Sequence, residues 1–387
     1  MPRLLPHHGT RVFLIALIAL VGAACSAASV PSGSGGSTLP APTSTDAGLA
    51  PSATSEATPT PTPEVAFRVL ETPDRYSRSG AEAVDGTTAV GWVQVGIADE
   101  QPAVWDTTTG ALRVLAVPAT FVHPSGLTFV RLVGVSGTTA IGTGVLGTQG
   151  KRGKERAMAW NTQTGDLRIL DIPAGFTQAE ARAISGTTAI GLVWTADDEE
   201  RFPAAWDTET GAVRILKVPA GYECVTPEAI SGDTVVGVGC YGEVGHPVVW
   251  KPLTAAARDL DMIPETQDGI PLAMDGTTAV GECCYGEEGT PLPLTWDTDT
   301  GSVRQLTLPA SFVNGKAVGV SGTVVVGSSG STTLVWDLTT GQARELPAPA
   351  AHNSSYAATA VDGRTIVGFA CEPPDNQPCV AAAWTLP

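Results

Sequence analysis

The residues in this chain best suited to chemistry are its clustered acids: Asp99-Glu100, Asp197-Asp198-Glu199-Glu200 and Glu287-Glu288, with Glu243, Glu372 and Asp375 as single acids. Two carboxyl groups held at a defined separation across a glycosidic bond supply the acid and the base or nucleophile that cleave it. Acids at this density also attract divalent cations weakly. One stretch has the opposite sign, Lys151-Arg152-Gly153-Lys154-Glu155-Arg156. Nucleophilic alternatives are poor. His123 and His246 lie far apart in the chain, and neither has the Ser/Asp or Cys neighbours of a catalytic triad. His352 fills a slot that holds Tyr or Phe elsewhere, which makes it a scaffold substitution. Neither His-x-His nor Cys-x-x-Cys spacing occurs, so no metal or other cofactor is expected.

Six cysteines follow Cys25, an even number that favours disulfides in an exported chain. Cys371 and Cys379 flank a short loop and form the strongest expected pair. Counting back from the Gly232-Asp233 turn sets Cys224 almost opposite Cys240. Cys283 and Cys284 are then left as a vicinal disulfide or as two thiols, with cross-pairing among these last four still open.

The elements that must position these groups come from one repeated unit. It is clearest at 181–222, where A-R-A-I-S-G-T-T-A-I-G is followed by a variable loop and P-A-A-W-D-T-E-T-G-A-V-R-I-L-K-V-P-A-G-Y. Tryptophan recurs at Trp105, Trp160, Trp206, Trp250, Trp296, Trp336 and Trp384, at spacings of 40 to 55 residues. A turn glycine keeps step with it at Gly86, Gly137, Gly186, Gly232, Gly276, Gly322 and Gly363. That period predicts four-stranded propeller blades, and hence an all-β, seven-bladed β-propeller over 66–387.

The last unit stops at Trp384 without its fourth strand, and Phe67-Arg68-Val69-Leu70 matches the missing one. The N-terminal strand is therefore expected to close the final blade. A small residue precedes each turn glycine by three positions (Ala83, Gly134, Ala183, Ala229, Ala273, Gly319 and Ala360), as converging inner strands require. One arginine per unit (Arg68, Arg113, Arg168, Arg214, Arg258, Arg304 and Arg344) is expected to pair across its own hairpin with acids such as Asp106, Asp207, Asp297 and Asp337.

The segment ahead of the repeats has a different character. Arg3 and Arg11 precede an apolar run from Val12 to Val21, then Gly22-Ala23-Ala24-Cys25. A basic flank, a short apolar core and small residues predict an export signal over 1–24. The apolar run is too short for a membrane span, which needs about 20 residues. Small residues ending at a cysteine resemble a bacterial lipobox, which implies a diacylglycerol on Cys25 and anchorage to the outer face of the cell membrane. The lipidated cysteine and a linker rich in Ser, Thr and Pro occupy 25–65, a composition that stays extended and solvated.

The repeat A-x-A-I-S-G-T-T-A-I-G…A-A-W-D-x-x-T-G resembles the HAF repeat, an extracellular bacterial family, over nearly all of 66–387. The family often places Asn before the turn glycine, where this chain has Ser or Asp. V-W-D-T-T-T-G is also similar to the WD repeat, although the Gly-His dipeptide of that family is missing. The resemblance implies a propeller and no particular activity.

A net charge of −17 repels nucleic-acid phosphate and anionic headgroups, which excludes nucleic acid as a partner and leaves the lipid as the membrane contact. The expected function is that of a monomeric binding or scaffolding module. Its charged loop face would meet a protein or an envelope glycan. The alternative is a polysaccharide hydrolase or lyase using the acidic loops.

Overall fold

The structure is a computed structural model. It describes residues 64–387 apart from 97–98, 122–127, 147–153, 196–199, 242–243, 253, 255, 267, 286–289, 348–350, 353 and 374–377. After β1 (Ala66–Val69), the first blade comprises β2 (Arg78–Asp85), β3 (Thr88–Val95), β4 (Asp99–Asp106) and β5 (Leu112–Val114). Blade two is β6 (Val130–Ser136), β7 (Thr139–Leu146), β8 (Lys154–Asn161) and β9 (Leu167–Ile169). Blade three is β10 (Gln178–Ser185), β11 (Thr188–Trp194), β12 (Phe202–Asp207) and β13 (Val213–Ile215). Blade four is β14 (Cys224–Ser231), β15 (Thr234–Tyr241), β16 (Val244–Lys251) and β17 (Ala256–Asp259). Blade five is β18 (Ile270–Asp275), β19 (Thr278–Tyr285), β20 (Thr290–Asp297) and β21 (Val303–Gln305). Blade six is β22 (Lys316–Ser321), β23 (Val324–Ser329), β24 (Thr332–Asp337) and β25 (Gln342–Glu345), and the last blade has β26 (Ser355–Asp362), β27 (Thr365–Cys371) and β28 (Cys379–Thr385).

The chain is a seven-bladed β-propeller of antiparallel four-stranded sheets. β1 completes the last blade in the order β1-β28-β27-β26, with Phe67 opposite Trp384. The first strands pack in a closed series, β2 on β6 through to β26 back on β2, so they surround the axis. Each of them slips register by one residue: Ala81 to Ala83 in blade one, Ala181 to Ala183 in blade three, Pro227 to Ala229 in blade four. This bulge sets a backbone carbonyl against the second strand. A Cβ at Gly191 would fall on the Glu180 carbonyl, which is why the repeat reads A-I-G there. Small residues are needed at the axis for a related reason. A Cβ on Gly319 would lie 3.3 Å from the Cα of Ala360 in the next blade.

Three recurrent ties join the blades. The first is a complete ring. The turn-glycine N–H of each blade donates to the Ser or Asp of its neighbour, from Gly137 on Asp85 at 2.6 Å round to Gly86 on Asp362 at 2.7 Å. The residue before the glycine is thus an acceptor for the next blade as well as a turn former. The second tie is the buried tryptophan, whose indole N–H reaches the preceding blade. Trp105 donates to the Glu71 carbonyl at 2.9 Å and Trp206 to the Asp171 carbonyl at 2.8 Å. Trp160, Trp296 and Trp336 do the same.

The third tie corrects the expected Arg–Asp hairpin pair. Arg68, Arg113, Arg168 and Arg258 donate to carbonyls in the D-x-x-T-G turn of the following blade; Arg68 reaches Thr109 and Arg168 reaches Thr210, each at 3.2 Å. The aspartate is already committed within its own turn. Asp207 accepts the backbone N–H groups of Glu209 and Thr210, which hold its carboxyl below the usual range. Lys251, which replaces that aspartate in blade four, instead meets Asp233 at 3.3 Å.

Candidate functional site

The loops between second and third strands, and the connectors between blades, emerge at the end opposite the turn-glycine ring. The inner strands bring charged side chains together across blade junctions on the way to that face. Glu82 stands at the bulge of β2 and accepts the Trp92 indole N–H at 2.8 Å. Arg131 of β6 lies over the Trp92 ring at 5.2 Å and pairs with Glu100 of β4. Burial raises Glu82 above the ordinary carboxyl range, against the pull of Trp92 and Arg131.

A second cluster spans blades three and four. Arg182, at the bulge of β10, pairs with Glu228, at the bulge of β14, and approaches Glu180 at 3.3 Å. Arg201 meets Glu180 at 3.4 Å and lies over the Trp194 ring at 4.5 Å. Burial raises Glu228 as well, opposed by Arg182. Between blades five and six, burial raises Glu282 while Lys316 lowers it and Asp268 adds to the rise. Chemically, these are paired ions whose arginines range from half-exposed (Arg131, Arg201) to largely buried (Arg182). They are pre-oriented for recognition, and among the described residues no activated nucleophile stands beside them.

Sequence reasoning missed the acids and bases of the inner strands. The available signal was positional. Where most inner strands place Val, Leu or Thr four residues before the turn glycine, blades one, three and four place Glu82, Arg182 and Glu228.

The loop acids named from sequence fare differently. Asp99 serves structure: its Oδ1 accepts the Thr128 N–H at 2.9 Å and its Oδ2 the Gln101 amide at 3.3 Å. Glu100 is held by Arg131. Lys154 opens β8 and is exposed, as is Glu200. Lys151, Arg152, Asp197, Asp198, Glu199, Glu287 and Glu288 lie outside the described residues, with Cys25, His123, Glu243 and Asp375. Among the described residues no group of three or more His, Cys, Asp or Glu is placed to hold a metal ion.

Cys224 sits opposite Cys240 with Cα atoms 5.2 Å apart, and Cys371 opposite Cys379 at 4.0 Å; the sulfurs of both pairs are in bonding contact. Cys283 and Cys284 are thiols at consecutive positions of β19. His352 packs against Phe67 and meets Glu372 at 3.2 Å. On the rim of blade four, Tyr222, Tyr241 and Asp259 line a groove of about 380 Å³ together with the 219–221 backbone.

No family model and no curated protein matches the chain. Solved structures do match in fold. An acylaminoacyl peptidase from Pyrococcus horikoshii superposes with a TM-score of 0.53 at 10% identity, over 82% of this chain and 53% of that one. The chain thus spans about half the length of that peptidase. The β-propeller domain of the Trilobed protease from Pyrococcus furiosus, described as having an open velcro topology, gives 0.52 at 10% identity over 80% and 95% of the two chains. An oligogalacturonate lyase from Vibrio parahaemolyticus gives 0.50 at 9% identity over 84% and 98%. At such identities the likeness extends to the fold, a propeller that this chain closes through β1.

Proposed function

We propose that the protein is an extracytoplasmic binding module, anchored through a lipid on Cys25, whose loop face takes a polysaccharide or protein of the cell envelope. The observation that carries this reading is the asymmetry between the two ends. At the turn end, all seven glycine N–H groups are consumed by neighbouring blades in one repeated bond. Toward the loop face the repeat is broken by Trp92, Arg131, Arg182, Arg201 and Glu228, which differ from blade to blade. Side chains that recur serve the ring; those that do not are available for recognition.

The test is capture of solubilised envelope material by the full-length protein. Arg131→Ala and Arg201→Ala together are expected to reduce capture at least about ten-fold, the usual weight of a central charged contact. Capture unchanged by both substitutions contradicts the reading.

A second reading rests on the raised carboxyls of Glu82, Glu228 and Glu282 and on the fold shared with an oligogalacturonate lyase. A carboxyl raised by burial is better suited to proton donation than a solvated one. Release of unsaturated uronides from oligogalacturonate by wild-type protein, abolished by Glu82→Gln or Glu228→Gln, would favour it over binding alone.

A further inference from the structure

Blade four departs from the repeat in three respects. Its third-to-fourth strand turn reads Lys251-Pro252-Leu253-Thr254 instead of D-x-x-T-G. Trp250 keeps its buried ring, but its indole N–H lacks the partner that the tryptophans of five other blades find. Arg214, which would strap blade three to this turn, makes no such bond among the described residues. In addition, Asp259 ends β17, where the corresponding strands of blades one to three end in Val or Ile and those of blades five and six in Gln305 and Glu345. Two of the three recurrent ties at this junction are therefore absent, and the 380 Å³ groove runs along β17 of the same blade toward the loop end.

The groove is built, and not simply left over. The Tyr222 ring lies flat on β15 because position 239 is glycine; a Cβ there would fall inside the ring. Its hydroxyl donates to Asp259 Oδ1. Tyr241 is 40% exposed and backed by His246, the two rings stacked 3.9 Å apart at 9°. Tyr222 and Tyr241 are 5.7 Å apart at 57°, an open corner of two aromatic walls. The Cys224–Cys240 pair fixes that corner, since Tyr241 follows Cys240 directly and Tyr222 precedes Cys224 by two residues. Tyr241 is shared with blade five, which has Tyr285 here, whereas blades one to three place Val95, Leu146 and Thr195 at this position.

We infer that this corner binds a neutral hexopyranose unit of an envelope polysaccharide, an inference that rests on the binding reading above and names its ligand class. A pyranose has an apolar C–H face, which suits the exposed Tyr241 ring, and in-plane hydroxyls, which suit a carboxylate acceptor. Asp259 Oδ2 has no partner among the described residues and accepts from such hydroxyls. Arg258 also lines the groove but donates to the Thr298 carbonyl of the next blade, and the Asp259 carboxylate, in a chain of charge −17, disfavours uronates.

Affinity electrophoresis of the full-length protein through gels containing dextran, mannan or laminarin tests this, with polygalacturonate as the anionic control. At least one neutral polymer is expected to retard the wild type. Tyr241→Ala is expected to weaken retardation about five- to ten-fold at unchanged Tm, while Tyr241→Phe retains it. Asp259→Asn is expected to weaken it less. Three results overturn the inference: no retardation by any neutral polymer, equal retardation by polygalacturonate, or Tyr241→Ala retarded like the wild type. If envelope capture persists in any of these cases, the subsite fails alone; if the wild type captures nothing, the binding reading fails first.

Discussion

Cys283 and Cys284 are adjacent in a regular strand, so their side chains project to opposite faces and do not bond to each other. Burial and the nearby Asp268 push both thiols up to about 11. Thiol titration of the unfolded chain is expected to count two groups from 64–387, besides Cys25 where it carries no lipid. In the native protein their alkylation should be slow at pH 8 and accelerate toward pH 11; finding no free thiol after unfolding contradicts the assignment. Carboxyls fall into two opposed sets. The Thr108 hydroxyl and the Thr109 N–H hold Asp106 below 3.8, and chiefly turn N–H groups do so for Asp207, Asp297 and Asp337, so their stabilisation is complete above the unfolded value and disappears as pH falls through the folded one. Glu82, Glu228 and Glu282 are raised above 4.5, so their contribution is complete below that value and is lost as pH rises through the folded one. Tm measured against pH should therefore lose its acid limb in part with Asp297→Asn, and its decline above pH 4.5 in part with Glu282→Gln. Unchanged profiles in both variants contradict these assignments.

At the scale of elements, the ties between blades are the units of stability. Ser185→Ala removes the acceptor of the Gly232 N–H and is expected to cost about 1 kcal/mol, read as a Tm lower by ~1–3 °C. Arg113→Ala removes donors to the Thr162 and Thr164 carbonyls and is expected to cost a similar amount, with Arg214→Ala, which has no such bond, near neutral. Equal losses for both arginines would contradict the strap. The blades themselves were legible in the sequence because tryptophan and turn glycine mark them at a fixed period. The bulge was not. Inserting one residue resets the period-2 pattern, so alternation does not mark Glu82, Arg182 and Glu228, which meet Trp92 or each other from the bulges. The first strand of blade three accordingly runs from Gln178, three residues ahead of its expected start at Ala181. The arginine straps were misread for a different reason: the hairpin aspartate is near in sequence, while the true acceptor lies in the next blade.

Across the whole molecule, closure by β1 makes the ring a single cooperative body. Deleting 66–69 would expose the edge of β28 and remove the Phe67–Trp384 ring contact, 5.4 Å between centroids. Such a variant is expected to melt earlier and to self-associate through the open edge, as seen by light scattering. The charged junctions and the groove of blade four belong to the loop end of this body, and the glycine ring to the other end. Hydrogen exchange of the full-length protein with and without bound envelope material separates the two ends most directly. The account predicts slowed exchange at 99–101, 200–203 and 219–224, with none at the turns around Gly86, Gly186 and Gly276. Protection confined to those turns, or spread evenly over both ends, would contradict it.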